Sequence, residues 1–168
     1  MKNMKKGFTL VELLVVIAII GLLATLALVS VGGVRVRARD ARRVADIAQM
    51  RNALELHSTQ VGTYPVNAAT IAVGVAGTNI LCSVGGFTGA CAAPATSFMS
   101  AVPRDTGRTG ATAACGGVAP CDYAYKSDAA GTNYGLQFAT EQDPDGNGSL
   151  AAGANCASPA GLVAGVCP

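Results

Sequence analysis

Tryptophan is absent from this 168-residue chain, and histidine occurs once, at His57. Four Phe and four Tyr are the only aromatics, so a folded region has few large side chains for its core. A lone histidine excludes paired-imidazole metal sites, and a His-based triad would have to recruit it from a packing helix. His57 reads instead as a surface or interface residue. No phosphate-binding glycine loop, HExxH pair or nucleophile elbow occurs, and with these missing the chain does not read as an enzyme. Net charge is only +2, which gives no support to a general nucleic-acid binder. Cysteine is missing from the first eighty residues. Cys82, Cys91, Cys115, Cys121, Cys156 and Cys167 all lie in an Ala/Gly-rich region, and an even count there reads as a disulfide framework of an exported domain. Six cysteines allow fifteen connectivities; short-range Cys82–Cys91, Cys115–Cys121 and Cys156–Cys167 are the simplest. Zinc is disfavoured because no tight Cys-x-x-Cys pair occurs.

Charge is missing from one long stretch. Between Phe8 and Val34 the only ionisable side chain is Glu12, and the 22 residues Leu13 to Val34 are uncharged and free of Pro. About 20 apolar helical residues cross a bilayer core, so this run is long enough to span a membrane. A carboxylate inside such a run is disfavoured and by default marks a function. Before it stands the short basic leader Met1-Lys2-Asn3-Met4-Lys5-Lys6-Gly7. A secretory signal peptide is cut after its apolar region, whereas here the small residue precedes it. A cut between Gly7 and Phe8 would retain the helix and create an α-amino group four residues from Glu12. Ammonium and carboxylate attract strongly in a low dielectric and offset part of each other's desolvation cost. A neighbouring subunit shifted along the membrane normal could supply the amine, which would set an assembly register.

The residues Gly7-Phe8-Thr9-Leu10-Val11-Glu12 resemble the class III leader of type IV prepilins and type II secretion pseudopilins. The resemblance implies cleavage after Gly7 by a dedicated prepilin peptidase, N-methylation of Phe8 and pairing of Glu12 with a neighbour's terminal amine. It also implies a homo-oligomeric helical filament, an inner-membrane assembly platform and minor pilins or pseudopilins as partners, with membrane lipid around the helix. No cofactor is required. Topology pulls two ways: Arg35, Arg37, Arg39, Arg42 and Arg43 outnumber the leader lysines, and by count would place the far end in the cytoplasm. The cysteine-rich region favours an oxidising exterior, and the resemblance puts the cleavage site at the cytoplasmic face. We therefore read a single-pass protein of the bacterial inner membrane, N-terminus in, with its head in the periplasm or exterior. The arginines would then pair with Asp40 and Asp46 or contact lipid headgroups; nucleic acid is the weaker reading.

Val34 to Val61 contains no Gly or Pro. Val44, Ile47, Leu54 and Val61 fall near one helical stripe with Met50 on its flank, while Arg42, Arg43, Asp46 and Arg51 lie mostly elsewhere. Arg42–Asp46 and Arg51–Glu55 are spaced for helical ion pairs. Gly62 suits a left-handed cap, and Pro65 disfavours helix at Tyr64. Asp40-Ala41-Arg42-Arg43-Val44-Ala45-Asp46-Ile47 and Gly62-Thr63-Tyr64-Pro65 resemble major pseudopilins more softly. The predicted architecture is α+β and pilin-like: leader 1–7, one long helix 8–62 (8–34 for membrane and assembly, 35–62 amphipathic) and a globular head 63–168.

Within the head, Asp122–Ser127 and Asn133–Thr140 read as strands of a hairpin turning at Asp128-Ala129-Ala130-Gly131. Residues 66–120 read as loops with a short helix near Thr96–Ala101, and the last 20 residues as a loop. Asp143-Pro144-Asp145-Gly146-Asn147-Gly148-Ser149 matches the first half of an EF-hand-type calcium loop. Its twelfth position is Ala154, so Glu141 or a backbone carbonyl would have to complete a shell around Asp143, Asp145 and Asn147. The leading function is a structural filament subunit, of a type II secretion pseudopilus or a related type IV pilus. The alternative is an anchored calcium-binding or adhesive domain that never polymerises.

Overall fold

The computed structural model describes residues 7–105, 122–144, 150 and 152–167. It has the expected α+β class, with one long N-terminal helix, antiparallel sheets and disulfides. Helix α1 covers Leu10–Val61 and enters two compact units, Met1–Val36 and Arg37–Pro168. In the first unit the apolar side chains turn outward: Phe8 is 78 % exposed, and even Val16 is 46 % exposed. The helix is long and apolar enough to cross a membrane.

In the second unit α1 has a buried face. Ile47, Met50, Ala53 and Leu54 recur at three- and four-residue spacing and join one core with Tyr123, Tyr125, Leu136 and Phe138. Val61, assigned to the same stripe from sequence, is exposed, because the helix ends there. Gly62 follows at φ 92°, its N–H donating to the Ser58 carbonyl at 2.8 Å, a conformation that favours glycine.

Strands β1 (Ile71–Ala72), β5 (Ala124–Ser127), β6 (Tyr134–Thr140), β7 (Gly153–Ser158) and β8 (Gly161–Ala164) form an antiparallel sheet in the order β1-β5-β6-β7-β8. The predicted hairpin is β5–β6, with Tyr125 opposite Leu136. Strands β2 (Ile80–Cys82), β3 (Gly86–Thr88) and β4 (Ser97–Met99) form a second sheet in the order β3-β2-β4. Two expectations are corrected. Around Thr96–Ala101 the chain forms β4 rather than a helix, since Met99 and Ser97 pair with Leu81 and Cys82. The final segment forms β7 and β8 rather than a loop, with β7 paired to β6 along five residues.

Candidate assembly segment and the ion-pair lock of the head

At the start of α1, Thr9 and Glu12 close a reciprocal cap. The Thr9 N–H and Oγ1–H donate to Glu12 Oε2 at 2.9 and 2.6 Å, and the Glu12 N–H donates to Thr9 Oγ1 at 3.3 Å. This is a capping box, which satisfies helix-end donors that otherwise have no partner. Its sequence signal, Thr9-x-x-Glu12 before an apolar run, was available in the chain and was missed. Gly7 and Phe8 precede the cap, and a Cβ at Gly7 would meet nothing within 4 Å. Among the described residues nothing crowds the candidate cleavage position, which lies next to the capped helix start.

The arginines beyond Val36 divide by environment. Arg43, expected off the packing face, is only 2 % exposed. Its Nε donates to Asp105 Oδ2 at 2.8 Å, and its Nη1 to Asp40 Oδ1 at 2.6 Å and Glu141 Oε1 at 2.9 Å. Arg39 grips Glu141 with two bonds, Nε to Oε1 at 2.8 Å and Nη2 to Oε2 at 2.6 Å. Asp40 also accepts the backbone N–H groups of Glu141 and Gln142, each at 2.9 Å. Arg104 Nε donates to Asp122 Oδ1 at 2.8 Å. The cluster ties α1 to the end of β6 and to the segment after β4.

Its electrostatics follow from this geometry. Burial alone would lower the Arg43 pKa, but the hydrogen bonds to Asp105, Glu141 and Asp40 outweigh it and raise it. The Arg39 hydrogen bond, with Arg43 behind it, lowers Glu141 to about 2. The sequence suggested helical pairs from Arg42 and Arg51. Asp46 instead accepts the Tyr123 hydroxyl at 2.9 Å, and Glu55 that of Tyr64 at 2.9 Å. Both acids serve buried or half-buried tyrosines.

His57 is corrected from surface to interior. It is 3 % exposed, its Nδ1 lies 2.9 Å from the Thr63 carbonyl, and its ring packs on Phe98 with centroids 5.2 Å apart. The sulfurs of Cys82 and Cys91 are bonded, as are those of Cys156 and Cys167. Cys115 and Cys121 lie outside the described residues, as do Asp145 and Asn147 of the calcium candidate. Asp143 is described, and Glu141, offered as a completing ligand, has both oxygens on guanidinium groups. Among the described residues no cluster of three metal-ligating side chains occurs.

Comparison with known proteins points to the N-terminal segment. A family model for the prokaryotic N-terminal methylation motif matches residues 2–28. A type IV major fimbrial protein of Dichelobacter nodosus is 44% identical over 55 residues, 33% of this chain and 35% of the relative. The type II secretion system core protein G of Aeromonas hydrophila is 38% identical over 64 residues, 38% of this chain and 45% of the relative. The core protein G of Escherichia coli (strain K12) is 39% identical over 61 residues, 36% and 42% of the respective chains. The chain thus spans less than half the length of these curated relatives. No solved structure matches it. Over its first third, this chain is similar to a type IV major fimbrial protein and to type II secretion system core proteins, and its residues 2–28 match the N-terminal methylation motif.

Proposed function

We propose that this protein is a structural subunit of a type IV-type filament, anchored in the membrane and polymerised through Phe8–Val34. The observation that carries the reading is the exposure of every large apolar side chain described from Phe8 to Leu26. A helix that is apolar all round must be buried in lipid or against other helices. Cleavage between Gly7 and Phe8, with methylation of the new terminus, would place the amine beside a single carboxylate. Oε2 of Glu12 takes both Thr9 donors, and a neighbour's ammonium would meet the same carboxylate. The relatives' names include both a fimbrial protein and a secretion core protein, and either filament suits this segment.

Intact-mass and N-terminal peptide analysis of protein from its native envelope tests the processing step. A chain starting at N-methylated Phe8 is expected; one retaining Met1, or cut after the apolar run, rejects the reading. Glu12→Ala should then abolish incorporation into filaments while the protein stays in the membrane fraction. Normal incorporation would reduce Glu12 to a headgroup contact.

We also propose calcium binding at Asp143, Asp145 and Asn147, supported by the alternating oxygens and Gly148 in the loop sequence. Asp40 fixes the backbone just before that loop, at Glu141 and Gln142. Calorimetric titration of the full chain in detergent should give calcium heat that Asp145→Asn diminishes. No heat at millimolar calcium removes the site.

A further inference from the structure

Six large apolar side chains are exposed among the described residues of the Arg37–Pro168 unit: Leu56, Val61, Val66, Val84, Val163 and Val166. Scattered singly, such residues are ordinary, but the five valines gather at two places. Val61 and Val66 line a groove of about 290 Å³ at the end of α1, and Val84 stands between two further lining residues, Ser83 and Gly85. The other two belong to the β8 edge of the large sheet. Leu162 packs toward the core, so Val163 beside it points away, on the face of Cys156 opposite. The Cys156–Cys167 bond draws the tail that carries Val166 over Gly135, where a Cβ would lie 2.7 Å from Cys167. Tyr134 and Leu136, on either side of Gly135, turn to the core shared with α1, so this second patch is on the sheet face away from the helix. We propose that the groove at the end of α1 in one copy of this chain takes the β8 edge of the next, with Val163 and Val166 against Val61, Val66 and Val84. This rests on the filament reading above.

Two unlike patches on one chain make a head-to-tail contact, and repeating it builds an open helical array rather than a closed dimer. Size selects the occupant. A stable free-standing interface buries about 1,200–2,000 Å² in total, more than five valines and their surroundings supply. A free partner in dilute solution would not be held by so small a surface. Copies already joined through their apolar helices meet at an effective concentration of about millimolar, where a small contact closes. Charge agrees with this pairing. Glu55 binds the hydroxyl of Tyr64, a residue lining the groove, and so places an acid beside it. Lys126 lines a hollow of about 380 Å³ with Val163 and forms no salt bridge among the described residues.

Photo-crosslinking in filaments assembled by the full chain tests this, with p-benzoylphenylalanine replacing the exposed Val84. Peptide mapping should join position 84 to residues 161–167 of another copy. The same probe replacing Ala164, exposed on β8, should reach residues 61–66 or 83–86 and reports the contact from its other side. Val163→Asp/Val166→Asp should lower the crosslink from position 84 about tenfold or more, since two valines lose their cover. Leu56→Asp, at the exposed position outside both patches, should leave it unchanged. Assembled filaments in which neither probe gives its crosslink overturn the contact and leave the filament reading standing. A crosslink of position 84 to position 84 of another copy, or to a different protein, also overturns it. If the wild-type chain enters no filament and keeps its residues before Phe8, the filament reading fails and this contact fails with it.

Discussion

Arg43 shows how one residue decides whether the head is held to its helix. Its guanidinium is buried with three carboxylates in reach, and two of those acids, Asp40 and Asp105, are themselves buried. Such a cluster is weak evidence of net stabilisation, since Arg43, Asp40 and Asp105 have all left water. Its removal is another matter. Arg43→Ala would remove the buried cation that Asp40 and Asp105 share, at a cost of about 3–5 kcal/mol. We expect the thermal transition of the head, followed by tyrosine near-UV circular dichroism in detergent, to fall sharply or vanish. A change no larger than that of Arg42→Ala, a substitution at an exposed position, would show that the buried acids find other partners. The expected pairing of these arginines with Asp40 holds for Arg43, and the two are an i,i+3 pair of opposite charge. What the chain alone did not disclose is that Asp105 and Glu141 arrive from distant segments.

At the scale of elements, legibility followed side-chain character. Helix α1 and the β5–β6 hairpin were visible because apolar spacing, Gly62, and the turn at Asp128–Gly131 all agree. Strand β7 was not, because Gly153-Ala154-Asn155-Cys156-Ala157-Ser158 has no branched or aromatic side chain, and β8 is only the short Gly161-Leu162-Val163-Ala164 beside it. Strand preference is largely a measure of packing against neighbours, and β7 obtains its structure from its pairing with β6 and β8. Strand β4 was misread for the same reason: Ser97-Phe98-Met99 is intrinsically ambiguous until β2 lies beside it. The N-terminal methylation motif was legible in the sequence, the Thr9–Glu12 cap was not, and the ion-pair lock only in part. The hairpin turn has a further role. Gly131 has φ 65°, its carbonyl accepts the Tyr64 N–H at 2.8 Å, and a Cβ there would lie 2.8 Å from the Tyr64 oxygen. Gly131→Ala therefore meets both an unfavourable backbone conformation and a backbone clash, and should destabilise the head by about 2–4 kcal/mol. Hydrogen exchange should show the loss at Tyr64 and along β5–β6. An unchanged exchange pattern would mean the turn can lift from the helix end without cost.

For the head as a whole, the same groups set a pH window. Glu141 is lowered from 4.5 to about 2 by Arg39 and Arg43, so the folded head favours its ionised form. Its contribution is complete above pH 4.5 and is lost as pH falls toward 2. Asp46 acts in the opposite sense: burial raises its pKa despite the Tyr123 hydroxyl and Arg42, so acid relieves part of its cost. The stronger limit lies on the alkaline side. Burial raises the pKa of Tyr123, Tyr125 and Tyr134, the last to about 12. Groups whose neutral form is favoured by folding give stability that is complete below their ordinary pKa of 10 and is lost as pH rises past it. The head should therefore have a stability plateau between about pH 4.5 and 10, with tyrosinate absorbance appearing above it together with loss of near-UV circular dichroism. The acid limb should flatten in Glu141→Gln while the alkaline limb is unchanged, because the two ends depend on different groups. If the buried tyrosines titrate near pH 10 with the circular dichroism intact, their hydroxyls reach solvent in the folded head, and the aromatic core is looser than its packing against Ile47, Met50 and Leu54 requires.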